Sequence, residues 1–132
     1  MPDPAPLSTR PLVLVVEDEP FVRALAVEVL EEEGFEVIEA PSADYAMSVL
    51  RSRDDVAVLF TDVEMPGQLN GLDLARAAKT MFPQILVIVV SGKLSPGFSG
   101  AAPEARYMPK PYRMAEVIQI IRHSRTEQTS LG

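Results

Sequence analysis

A chain of 132 residues with 47% hydrophobic side chains has the length of one domain and the means to fill one core, which excludes a globally disordered protein. It contains no cysteine, so neither disulfides nor a cysteine metal site can staple it. Its net charge is −7, from 19 acidic and 12 basic residues, and this argues against direct nucleic-acid binding, since phosphate backbones demand a basic face.

Residues 1–10 are rich in proline and small polar residues and read as a flexible tail, as do residues 126–132. Between them, over residues 11–125, apolar runs alternate with helical patterns. "LVLVV" (12–16), "VAVLF" (56–60) and "ILVIVV" (85–90) are continuous and β-branched, as strands covered on both faces are. "FEVIEA" (35–40) carries acids and suits a sheet edge, and "RYMP" (106–109) is a weak fifth strand. Pro20 suits a first helical turn, Gly34 a helix end, and Phe21, Leu25, Val29 and Leu30 are expected to form the inward face between them. Ser42 can cap a second helix with Ala43, Ala46, Val49 and Leu50 inward. Asn70 can cap a third, with Leu72, Ala75, Ala78 and Met81 or Phe82 packing and Pro83 as its stop. Met114, Val117, Ile118 and Ile121 stripe a last helix. The alternation implies an open α/β sheet.

The apolar runs are too short to cross a bilayer, and the N-terminus lacks the pattern of a signal peptide. No membrane insertion and a cytoplasmic location are therefore expected.

Function in open parallel sheets collects beyond the carboxyl ends of the strands. There the sequence places Glu17, Asp18 and Glu19 after the first run, Asp62 after the third, Ser91 after the fourth and Lys110 after the fifth. Each has an ordinary explanation: acids favour helix starts, Asp62 can open a turn, and Lys110 can be a solvated charge. Their convergence on one cleft is harder to explain that way. Clustered Glu17, Asp18 and Asp62 would repel one another, and a hard cation such as Mg2+ relieves this with oxygen ligands and retained waters. Lys110 and Ser91 would add a positive point and a hydroxyl for phosphoryl oxygens. This is the equipment of phosphoryl transfer, with Asp62 as the nucleophile.

"LVLVVEDEP", "LFTDVEMPG", "VIVVSGK" and "YMPKPY", in this order over residues 11–125, resemble the response-regulator receiver domain of two-component signalling, in its single-domain, chemotaxis-type form. The resemblance implies a flavodoxin-like, doubly wound parallel sheet of five strands in the order 2-1-3-4-5. It implies that Asp62 accepts a phosphoryl group from a histidine kinase or phosphotransfer protein, and that the switch acts on an unknown downstream protein. Asp18 and Asp62 would bind Mg2+ directly, Glu17 through water, and the Glu64 backbone carbonyl would add a ligand. Ser91 and Tyr107 would be the switch pair, Lys110 would read the phosphoryl group, and the Lys110–Pro111 peptide would be cis. Glu64 and Lys93 stand where this family tunes the lifetime of the phosphoryl group.

The sequence departs from the family pattern in three places. Glu17 stands where Asp is also common, "MPGQLNG" is one residue longer than the commonest form, and Pro96, Gly97, Gly100 and Pro103 fall where a fourth helix belongs. That helix is expected to be short or irregular over 93–104. The function expected is a stand-alone, phosphorylation-switched binding module rather than an enzyme. The alternative is a small phosphohydrolase with Asp62 as nucleophile and Glu64 as acid/base. His123, the single histidine, needs no role beyond favourable placement near a helix C-terminus.

Overall fold

The computed structural model describes residues 10–65, 67, 69–92 and 105–131, with side chains described as far as Ser124. Strands β1 (Leu12–Val16), β2 (Glu36–Ala40), β3 (Val58–Asp62), β4 (Leu86–Ser91) and β5 (Arg106–Pro109) alternate with helices α1 (Pro20–Glu32), α2 (Ala43–Ser52) and α3 (Gly71–Met81), and α4 (Met114–Leu131) follows β5. All pairings are parallel and the sheet order is β2-β1-β3-β4-β5. The expectation of an irregular helix over 93–104 lies outside the described residues, and so does the side chain of Lys93. Helix α4 continues to Leu131, through residues read from the sequence as a tail.

Side chains alternate across a strand, so each apolar run feeds two cores. Leu14, Val16, Leu59, Val87 and Val89 face Ala43, Ala46 and Leu50 of α2 and Leu74, Ala75 and Ala78 of α3. Val13, Val15, Val58, Phe60, Ile88 and Val90 face Ala26 and Leu30 of α1 and Val117, Ile118 and Ile121 of α4. Fully burying each large aliphatic side chain is worth about 1.5–3 kcal/mol, so the central strands anchor the sheet from both sides.

The expected helix ends are present. Ser42 accepts from the Tyr45 N–H, and Asn70 accepts from Leu72 and Asp73 while Asp73 returns a bond to the Asn70 N–H, closing a capping box. Gly34 ends α1 with a φ of 95°, a conformation that favours glycine.

One face is corrected. Leu30 is buried and Val29 half-buried as expected, but Phe21 and Leu25 are 85% and 58% exposed, and Ala26 takes the inward position. The small Ala26 lets α1 lie close to the sheet. Leu25 borders an open cavity with the residues that follow the strand ends rather than packing on the sheet.

Candidate functional site

Each expected residue is set at the carboxyl end of the sheet by backbone bonds that extend the strand ladders. The Glu17 N–H donates to the Ala40 carbonyl (3.0 Å), so the residue after β1 is held by the last residue of β2. Asp62 is the last residue of β3, and the following Val63 N–H donates to the Val90 carbonyl (3.0 Å). Ser91 ends β4, and its carbonyl accepts from the Lys110 N–H (2.9 Å), which places the lysine directly after β5. The Lys110–Pro111 peptide is cis. Tyr107 is half-buried on β5, in register with Val89, while Ser91 is buried.

Asp62 is only 3% exposed, yet both its oxygens are engaged. Oδ2 accepts from the Lys110 Nζ at 2.5 Å, and Oδ1 accepts from the Glu64 N–H at 3.0 Å. Burial opposes charge on Lys110, but the hydrogen bond and charge of Asp62, with Glu17 and Glu64 adding, outweigh it and hold the ammonium above its ordinary pKa. Glu17 is buried, and its carboxyl is raised from 4.5 to about 7. Burial is the main cause, the Glu19 N–H bond opposes it, and the carboxyl groups of Asp18 and Asp62 add to it. Glu19 itself is a helix cap, its Oε1 accepting from the Phe21 N–H at 3.1 Å, so here the ordinary explanation suffices.

These groups open into a cavity of about 660 Å3. Glu17, Asp18, Asp62, Glu64 and Lys110 line one side, and Val22, Leu25, Pro111, Tyr112 and Met114 the other. Tyr112 was not singled out from the sequence. Its ring packs edge-on against Phe60 at 5.7 Å between centroids, and burial, then the charge of Glu17, pushes its hydroxyl pKa up. A second cavity of about 460 Å3 lies at the opposite end of the sheet, bordered by Asp54, Asp55 and Phe82, away from these groups.

The crowded carboxylates fit a hard cation. Among the described residues no three His, Cys, Asp or Glu side chains are arranged to hold a metal ion unaided. Mg2+ does not require such a cage, because it keeps several waters and takes one or two carboxylates. The observation in its favour is Glu17, whose proton affinity is raised by burial and then by two neighbouring acids; a divalent ion would stabilise the buried charge as the proton does.

Two glycines bear on the site. A Cβ on Gly71 would overlap the Asp62 carbonyl and crowd the Val63 Cα, so α3 starts against the backbone at the end of β3 only because residue 71 is glycine. Gly71→Ala is expected to cost about 1–3 kcal/mol, as overpacking does, seen as a lower urea midpoint. An unchanged midpoint would mean that α3 shifts without penalty. Gly92 donates its N–H to Glu64 Oε1 at 3.2 Å, and Glu64 Oε2 is buried without a hydrogen-bond partner among the described residues.

The family model described as the response regulator receiver domain matches residues 13–122. The chain belongs to that family. A probable transcriptional regulatory protein of Picosynechococcus sp. is 33% identical to this receiver over 127 residues, which cover 86% of the chain and 49% of the relative. The receiver thus spans about half the length of that relative. A CheY-like receiver domain protein from Methanospirillum hungatei shares the fold at a TM-score of 0.81 and 24% identity, covering 93% of this chain and 99% of that one. The response regulator TrrA of Thermotoga maritima, solved in complex with Mg(2+)-BeF, is 28% identical with a TM-score of 0.74, covering 86% of this chain and 98% of that one. The expected flavodoxin-like sheet and its 2-1-3-4-5 order are those of this receiver. Among the described residues no helix is long and apolar enough to cross a membrane.

Proposed function

We propose that this receiver accepts a phosphoryl group on Asp62 from a histidine kinase or phosphotransfer protein and thereby switches its binding to a downstream protein. The unit that does so is residues 11–125. The observation that carries the reading is a buried carboxylate, Asp62, paired with Lys110 and set beside Glu17 in an open cavity. A buried acid with no role beyond stability would not need to open onto a cavity lined with further acids.

An oxygen of Asp62 attacks phosphorus as the bond to the donor's leaving nitrogen or oxygen breaks, and the leaving group departs with the electron pair. The new bond is an acyl phosphate. Lys110, already at Asp62 Oδ2, is placed to neutralise phosphoryl oxygens as charge moves onto them. Asp18, Asp62 and the Glu64 carbonyl would hold Mg2+, with Glu17 acting through water, and the ion would supply charge neutralisation between the acids and the phosphoryl group. Ser91 and Tyr107 would read the new charge and pass it to the β4–β5 side of the sheet. TrrA, seen with Mg(2+)-BeF, supports the metal assignment.

The test is intact-mass measurement after incubation with acetyl phosphate and Mg2+. One added phosphoryl group is expected, absent in Asp62→Asn. Equal labelling of that variant would sink the assignment, and sustained turnover of a phosphomonoester would favour a hydrolase instead.

Glu64 is expected to govern how long the phosphoryl group lasts. Its carboxylate accepts from the Gly92 N–H and the residue lines the same cavity as Asp62, which an attacking water would enter, and Lys93 is the residue expected to act with it. A partly exposed contact of this kind is worth about 1 kcal/mol, so Glu64→Ala should hydrolyse roughly fivefold faster. A lifetime equal to or longer than that of the unaltered protein would refute the gate.

A further inference from the structure

Arg23, on the first turns of α1, has a role that no motif announces. Its Nη1 donates to the Glu17 carbonyl at 2.8 Å, and its Nε donates to Glu39 Oε1 at 3.1 Å. The Arg23 side chain is 20% exposed and bonded at both ends of its fork, so it is held in place rather than waving in solvent. The Glu17 N–H is meanwhile bound to Ala40, the neighbour of Glu39. Glu17 is therefore gripped on both sides of its backbone by one ring of contacts that runs from the end of β2 through Arg23 and back.

The carbonyl in this ring belongs to the planar peptide joining Glu17 to Asp18. Fixing that plane fixes the last soft torsion of Glu17 and the position from which Asp18 starts. The backbone that carries both carboxylates is then held at their junction, although Arg23 bonds to neither carboxylate.

We propose that Arg23 is a positioning residue for the Glu17–Asp18 acid pair and thereby sets the divalent-metal affinity of the site. This rests on the metal reading above, and its sign separates it from simple electrostatics. If Arg23 acted by charge, it would compete with a cation, and its removal would tighten metal binding. Acting through geometry, its removal weakens binding.

The experiment measures Mg2+ affinity by calorimetry, and amide hydrogen exchange at Asp18 and Glu19 in metal-free protein, for the unaltered chain, Arg23→Ala, Arg23→Lys and Glu39→Gln. Arg23→Ala should weaken Mg2+ binding about tenfold, the lower end of what losing a supporting partner costs a metal site, and should speed exchange at both amides. Arg23→Lys should fall close to Arg23→Ala, because one ammonium cannot span the carbonyl and the carboxylate as the planar fork does. Glu39→Gln should weaken binding only about twofold, since its amide oxygen can still accept from Nε. It also carries the test should Arg23→Ala fail to fold. Unchanged or tighter Mg2+ affinity, or unchanged exchange at both amides, overturns the role of Arg23. If the unaltered protein binds no Mg2+ in an Asp18-dependent way, the metal reading fails instead, and amide exchange alone decides whether Arg23 positions the pair.

Discussion

Without divalent metal, the protein is expected to lose stability as the pH rises from about 4.5 to about 7, and Glu17→Gln should remove that loss. Glu17 titrates near 4.5 when unfolded and about 7 when folded. Between those values the folded state binds more protons than the unfolded state, so stability falls with rising pH. The contribution is complete below the unfolded value and gone above the folded one. Each tenfold gain in proton affinity corresponds to about 1.4 kcal/mol, and solvent in the open cavity screens part of it, so an effect on the order of 2 kcal/mol is expected. Arg53 holds the Asp55 carboxyl below its ordinary range, and that exposed pair acts only at lower pH, outside this window. Urea midpoints at pH 5 and pH 7.5 in a chelator read the effect directly. Millimolar Mg2+ should recover stability at pH 7.5 by taking the place of the proton, and the recovery should vanish in Asp18→Ala. A flat profile in the unaltered protein would show that neither burial nor the neighbouring acids raise the proton affinity of Glu17.

Lys110→Met should be more damaging still. It removes the ion-pair partner of Asp62, a side chain 3% exposed, and leaves that carboxylate beside Glu17 with no ion-pair partner among the described residues. Breaking a buried pair costs about 3–5 kcal/mol; the Lys110 side chain is 36% exposed, so about 2 kcal/mol is expected here. The rate of phosphoryl transfer should fall further, about 100-fold, because the fixed charge that meets the phosphoryl oxygens is gone. Stopped reactions with acetyl phosphate, followed by intact mass, measure it. A rate within about twofold of the unaltered protein would assign Lys110 to stability alone.

The strand ends were legible because two independent patterns meet there. The β-branched runs mark the central strands, and the residues just beyond them are acids, a serine and a lysine where apolar residues would otherwise continue. Asn70 and Ser42 were legible because a cap is a local device, written within three residues of the helix it starts. Glu17 could be placed but its protonation could not, since that depends first on how deeply the fold buries it and then on how closely Asp18 and Asp62 crowd it. The face of α1 was misread because helical periodicity cannot tell which apolar positions pack on the sheet. Phe21 and Leu25 follow the pattern but are exposed, and Leu25 borders the open cavity instead. Arg23 was invisible for a related reason: a basic residue on a helix reads as solvated, and its partners Glu17 and Glu39 meet it only after β2 pairs with β1. Gly71 follows Asn70 and reads only as a turn glycine, whereas its necessity comes from the Asp62 carbonyl facing it.

The account stands on Asp62 as the phosphoryl acceptor, and borohydride trapping tests this most directly. An aspartyl acyl phosphate is reduced to homoserine, which marks the modified position permanently. After treatment with acetyl phosphate and Mg2+, followed by borohydride and peptide sequencing by mass spectrometry, homoserine is expected at position 62 and nowhere else. Homoserine at position 18, or at any other aspartate with Asp62 intact, would contradict it.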